Sequence, residues 1–434
     1  MAADGREEER AALRDAVRGL LEKRSDVRAV MASPGGHDPA VWSLLCEQIG
    51  VAGLALPEDY GGAGAGLAEV AVVAHELGRT LTPSPLLGSS VLAARLLRES
   101  ADEAACARLL PGIADGSRPV AVAWTGEDGA WSDRPAVTAI PGGLEGTARA
   151  AFEGTARAAL EGTARAALEG TAPAALEGTA SYVLEGTASY VLDGDEVDTL
   201  LVLACDGGNE AGSDGGVALY EVEGAAAGVS RRDAEALDPL RRLATVTLSG
   251  AAGTRLAAVS AEALRRARSE AVVVLAAEQT GAAERALERT VEYTLQRRQF
   301  GRPIGSFQAV KHRLADAFVR LETARSACHA AVGSAAGGSD PAGEDAAVAK
   351  VVCSESLQYI AAEMIQLHGG IAITWEHDAH LYFKRAHGSA ALFGPPQRYV
   401  DELGVGDPDP DGPGADEPVA DGTAAAGAAA VSGG

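Results

Sequence analysis

The chain has 434 residues, 47% hydrophobic and 23% charged, which allows two or three domains with buried cores and excludes a wholly disordered protein. With 61 acidic against 37 basic residues the net charge is −24, so nucleic acid and anionic membrane surfaces are excluded as partners of the chain as a whole. Cys46, Cys106, Cys205, Cys328 and Cys353 are dispersed, with no CxxC pair and no zinc spacing, which reads as reduced thiols in a cytoplasmic protein and leaves no metal site.

The N-terminus is acidic and amphipathic and has no apolar signal core. No apolar run approaches the roughly 20 residues that span a bilayer. Apolar positions at helical spacing, among them Leu13, Val17, Leu20 and Leu21, predict a helix over 7–30. Further helices are predicted over 41–48, 67–78 and 86–99, with a turn-rich PEDYGGAGA loop at 57–65. Residues 1–118 are thus expected to be a helical domain.

From Pro119 the texture changes. Short β-branched or alternating runs at 120–124, 217–222 and 244–248 predict strands, so 119–255 is expected to be a β domain. It carries an insertion over 144–191, in which an octapeptide of the form LEGTARAA or LEGTASYV recurs six times. Eight is even, so a strand would present the same side of every copy to the same face. Each copy offers one large apolar residue and several alanines, too little to bury alone. One copy is expected to be a true strand and about 40 residues to be weakly ordered. Helical periodicity returns at 261–333, 346–366 and 396–403, giving a C-terminal helical unit over 256–404. Residues 405–434 hold six acids, no base and few large apolar groups, and are expected to be disordered.

Two segments of the C-terminal third are more specific. One is RRQFGRPIGSFQ at 297–308; the other is QLHGG at 366–370. With the helical, β, helical order and the Pro-Glu-x-Tyr-Gly-Gly loop, they resemble the RxxFGxxIxxFQ and QxxGG segments of the acyl-CoA dehydrogenase family. The resemblance implies an α+β multi-domain fold: an N-terminal α-helical domain, a middle β-barrel-like domain and a C-terminal four-helix bundle. It also implies FAD as cofactor, an acyl-CoA or acyl-carrier thioester as substrate, an electron-transfer acceptor, and a homo-oligomer or heteromeric tetramer.

Residue by residue, the resemblance implies that Arg297 and Gln308 reach the FAD pyrophosphate of a neighbouring subunit. An arginine suits that role because its planar fork donates two parallel charged hydrogen bonds. Phe300 would pack beside the adenosine. Gln366 belongs to the second segment, where Gly369 and Gly370 let the backbone approach the cofactor. In the β domain the family's T-E-P-x-x-G-S-D stretch is matched weakly by TGEDGAWSD at 125–133, where Thr125 would bond the flavin ring edge and Ser132 a phosphate. Tyr190 in the last repeat takes the place of the aromatic beside the flavin ring, and Tyr182 stands in the same context one repeat earlier.

The reaction needs a carboxylate that removes a proton next to the thioester, in a dry site that raises its pKa. Many relatives carry it in Tyr-Glu-Gly-Thr; here that stretch reads ALFGPP at 391–396, with Phe393 or Gly394 at the glutamate position. The Glu-Gly-Thr of the repeats lies in the wrong domain. Other relatives place the base on the long helix before RxxFG. There Glu278 interrupts an apolar face, and Glu270 lies eight residues earlier. Glu278 is the first candidate, Glu270 the second, and a chain without its own base the third. Glu376, His377 and His380 resemble a metal set only in spacing; Trp375 is expected near the flavin, and His368 is expected to be structural. Three functions follow: a dehydrogenase, a non-catalytic subunit completing the FAD site of a heteromer, or a flavin-free scaffold.

Overall fold

The computed structural model describes residues 2–33, 38–132, 134–142, 181–206, 216–340 and 343–404. The first four repeats and the first five residues of the fifth, where weak order is expected, and the segment from 405 on, expected to be disordered, lie outside the described residues.

The N-terminal part is helical: α1 (Ala2–Arg24), α2 (Val27–Ala32), α3 (Pro39–Ile49), α4 (Leu67–Thr80), a π-helical turn (Leu86–Ala93) running into α5 (Ala94–Glu99), and α6 (Glu103–Ala114). Local signals set the ends. The Asp26 and Asp38 carboxylates accept the first free amides of α2 and α3, and Gly50 closes α3 in the left-handed region.

Among the described residues seven strands follow: β1 (Val120–Ala123), β2 (Val137–Pro141), β3 (Ser181–Leu192), β4 (Thr199–Asp206), β5 (Val217–Glu223), β6 (Val229–Asp233) and β7 (Leu243–Val259). Pairings run from β4 through β2, β3, β7 and β5 and back to β4, with β1 also on β4 and β6 on β7. The inward side chains, including Leu184, Leu200, Val202, Tyr220 and Val246, form a core of their own. β7 runs four residues past the expected domain edge at 255, to the Ser260 that caps the next helix.

β3 holds the last octapeptide, 184–191, preceded by the final three residues of the one before it, 181–183. The same-face expectation fails. Register shifts at Leu184/Glu185 and Ala188/Val191 break the alternation. Tyr182 is therefore buried against Tyr220, ring centroids 5.2 Å apart, whereas Tyr190 adopts φ +58° and stands 43% exposed.

The C-terminal part comprises α7 (Ala261–Gln296), a short hairpin β8 (Arg298–Gln299) and β9 (Arg302–Pro303), α8 (Gln308–Gly337), α9 (Glu344–His368), α10 (Ala379–Ala391) and α11 (Pro396–Glu402). α4 packs backbone to backbone on α7. A Cβ on Gly78 would lie 2.0 Å from the Glu278 carbonyl oxygen, and one on Gly281 would lie 1.9 Å from that of His75. Glycine at both crossing points is a steric requirement, and this crossing brings Glu278 into the junction of the three parts. Among the described residues no helix is long and apolar enough to cross a membrane.

Candidate flavin site

The two C-terminal segments meet through one stacked pair. Tyr293, on the last turn of α7, lies under His368, with ring centroids 4.2 Å apart, and its hydroxyl donates to the His368 carbonyl at 3.3 Å. The imidazole Nδ1 bonds the Met364 carbonyl, consistent with a structural role for His368. This contact ties the helix turn four residues before Arg297 to the residue that precedes Gly369 and Gly370.

Arg297 ends α7; its backbone bonds Tyr293 and Ile304, and its side chain is exposed. Phe300 and Gly301 form the hairpin tip with φ +52° and +77°, the mirror-image turn that suits a tight hairpin. The Phe300 ring is 92% exposed and touches only the edge of Phe307. Gln308 opens α8, its amide bonded to His312. Gln366, Gly369 and Gly370 are exposed, and a Cβ on either glycine would meet nothing within 4 Å. Gly369 has φ +67° and ψ −144°, a conformation close to glycine-only. A guanidinium without a carboxylate partner among the described residues, an exposed aromatic ring and open glycine backbone fit a diphosphate-bearing cofactor that reaches in from outside this chain.

In the β domain the turn after β1 is laced to β3. Thr125 is buried and its hydroxyl donates to the Ser189 carbonyl. With that O–H committed, Thr125 would meet a flavin edge as an acceptor through its remaining lone pairs. Ser189 in turn donates its hydroxyl to the Glu127 carbonyl at 2.8 Å. Ser132 accepts the Arg134 amide at 3.0 Å through Oγ, which leaves its O–H to donate to an acceptor such as phosphate. Tyr190 lies over this turn. A Cβ on Gly129 would come within 2.4 Å of its ring, so glycine there lets the exposed ring lie flat.

Where relatives carry Tyr-Glu-Gly-Thr, the structure has an apolar plug. Phe393 is fully buried, 4.7 Å centroid to centroid from Trp131, which meets Trp124 edge-on at 5.3 Å. The plug is fixed from behind. The buried Lys350 ammonium donates to the Ser389 and Leu392 carbonyls at 2.8 Å each, and the Tyr399 hydroxyl donates to the Phe393 carbonyl. Burial pushes the Lys350 ammonium down to about 7.

The two helix carboxylates stand in different surroundings. Glu278 accepts from Arg241 at 3.1 Å and from Arg385 at 2.8 Å, and Arg385 also grips Asp238. Burial pushes the Glu278 carboxyl up, but the two guanidiniums outweigh it and hold it below the usual carboxylate range. A group so held has little affinity for a proton, so this site works against the role of base. Glu270 pairs with Arg95 at 2.6 Å, and there burial prevails, so its carboxyl is raised. Beside Glu278 lies a small cavity of about 20 Å³, room for one water. It is also lined by Asp193, whose carboxyl burial pushes up to about 7. Neither Asp193 nor Lys350 was singled out from the sequence; the one visible signal is the Glu-to-Asp change where the repeat ends.

Glu376, His377 and His380 do not converge. His377 stacks on His368 and His380 meets Trp375 edge-on. Among the described residues no group of three such side chains is placed to hold a metal ion. Trp375 is 63% exposed, just past the Gly369–Ile373 turn, with the Lys384 ammonium 4.7 Å from its ring centre.

Family models for the N-terminal and C-terminal domains of acyl-CoA dehydrogenases match residues 7–117 and 257–401. The chain is 38% identical over 406 residues to acyl-CoA dehydrogenase IpdE2 of Mycobacterium tuberculosis, covering 91% of this chain and 96% of that one. The chain belongs to the acyl-CoA dehydrogenase family. Among solved structures it resembles a variant of the Tcur3481-Tcur3483 steroid ACAD, at 30% identity and TM-score 0.74 over 92% of this chain and 97% of that one. It also resembles the ChsE4-ChsE5 complex of M. tuberculosis, at 25% identity and TM-score 0.75 over 92% and 98%. As an acyl-CoA dehydrogenase it is an FAD-dependent oxidoreductase that desaturates the α–β bond of an acyl thioester. Bound FAD supplies the hydride acceptor. This chain's Arg297, Phe300, Gly369 and Gly370 are the residues whose surroundings suit that cofactor.

Proposed function

We propose that the chain works within an oligomer in which each FAD lies between chains, and that its own carboxylates do not supply the base. The observation that carries this reading is Phe393 filling the glutamate position, with Glu278 held between two arginines. The base then comes from a related subunit, and this chain completes the cofactor site with Arg297, Phe300, Gln308, Gln366, Gly369 and Gly370. Ser132 and Tyr190 line the flavin from the β domain, whose ring of strands is barrel-like, and α7 to α10 serve as the four-helix bundle. The substrate is an acyl-CoA with a bulky, polycyclic acyl group, a reading supported by the steroid ACAD among the similar structures. An electron-transfer protein reoxidises the flavin, and the cytoplasm is the setting that suits five free cysteines.

The test is purification of the chain alone and together with a related subunit encoded beside it. The pair should carry flavin and turn over; the single chain should not. A single chain that turns over at the rate of the pair sinks the shared-base reading. In that event Glu270, with its raised carboxyl, becomes the first candidate and Glu270→Gln should abolish turnover.

A further inference from the structure

A second opening lies on the opposite side of the α4–α7 crossing. It is a groove of about 1170 Å³ between α1, α4 and α8, and it shares no lining residue with the cavity beside Glu278. One wall is α1, which presents Arg6, Arg10, Arg14 and Arg18. Four-residue spacing keeps them on one helix side, about 6 Å apart and spanning about 18 Å. Arg10 and Arg18 are paired with Glu69 and Glu76. Arg6 and Arg14 are exposed and have no hydrogen-bond or ion-pair partner among the described residues. From α8, His329 adds an exposed imidazole.

The floor differs from the wall. Val72 and Ala71 of α4 and Val332 of α8 form it, with Ala277 of α7 between them. Two carboxylates, Glu7 and Glu284, also reach the groove, and Glu284 is tied to Arg79 and Arg325. A chain with net charge −24 thus keeps an arginine row over an apolar floor, and unpaired guanidiniums there suit phosphate or carboxylate. The volume exceeds that of an ordinary small-molecule pocket.

We propose that this groove binds an extended anionic amphiphile, its phosphate or carboxylate groups on Arg6 and Arg14 and its hydrocarbon on the floor of Val72 and Val332. The site does not depend on the flavin reading, since it shares no residue with it.

Calorimetry on the FAD-loaded protein tests this with dodecanoyl-CoA, dodecanoate, free CoA and dodecyl maltoside as probes. The Arg6→Gln/Arg14→Gln double variant should lose one saturable binding event, weakened roughly tenfold or more, with flavin content and turnover unchanged. Dodecanoyl-CoA binding above dodecanoate points to phosphate recognition, and the reverse to carboxylate; either supports the site. The proposal is overturned if the double variant binds both anionic amphiphiles as the wild type does. It is equally overturned if dodecyl maltoside competes as well as they do, or if free CoA binds as tightly as its thioester. A pair of subunits that lacks flavin but keeps the Arg6- and Arg14-dependent event would fail the flavin reading and leave this one standing.

Discussion

Phe393 and Trp131 meet ring to ring, 4.7 Å between centroids, and so join the C-terminal helices to the turn after β1. A buried aromatic carries much packing energy, and its removal leaves a cavity. Phe393→Ala should cost about 3–5 kcal/mol of stability, read from the denaturant midpoint. Because the contact braces the turn that bears Thr125 and Ser132, the variant should also release flavin more readily. A midpoint shift under about 1 kcal/mol would show that the plug is not an anchor.

Glu278→Gln separates structure from chemistry. It leaves Arg241 and Arg385 facing a neutral amide at a buried site, a loss of about 3–5 kcal/mol for a broken buried pair. Turnover per bound flavin should stay near the wild-type value once the protein is folded. A loss of turnover by a hundredfold or so with flavin still bound would restore Glu278 as base.

At the hairpin tip the expectation is reversed. Arg297→Ala and Phe300→Ala remove exposed side chains with few contacts in this chain, so the melting temperature of the flavin-free protein should hardly change. Flavin content of the chain purified with its related subunit should fall sharply in both. Arg297→Lys should recover only part of it, since an ammonium lacks the planar two-pronged donor. Full flavin occupancy in Arg297→Ala would remove the residue from the cofactor site.

Lys350 predicts a pH slope. Its ammonium titrates near 7 in the fold and at its ordinary value of 10.5 when unfolded. Between these limits the unfolded chain binds the extra proton, so stability should rise as pH rises from about 7 towards 9. Above 9 the buried thiols, Cys46 and Cys353 among them, are pushed up by burial and act in the opposite sense. Lys350→Met should flatten the 7–9 slope in denaturation measured across that range. A slope that is unchanged in the variant would show that the charge is carried elsewhere.

The helices, the β middle and the two motif segments were legible because each is a local pattern: periodicity, turn residues, or a run of named side chains. His368 lies within the second segment, but its partner Tyr293 stands four residues before the first, on the preceding helix, and nothing in the sequence marks their meeting. The setting of Glu278 was not legible either. Its partners Arg241 and Arg385 are 37 and 107 residues away, and nothing near residue 278 announces them. An isolated carboxylate on an apolar face reads the same whether it is a base or half of an ion pair. The fate of Tyr182 and Tyr190 was hidden for another reason. Identical octapeptides predict identical faces, and only the shifts in pairing with β7 tell them apart.

Those shifts also bear on how the gene can vary. The stretch that enters β3 is the last octapeptide with three residues of the one before it, and more units of nearly the same spelling stand ahead of it in the sequence. Adding or deleting one whole unit upstream would leave the residues that pair with β2 and β7 unaltered. Length variation in steps of eight should therefore be close to silent for the fold, since the side chain over Gly129 is set by the pairing of β3 with β7.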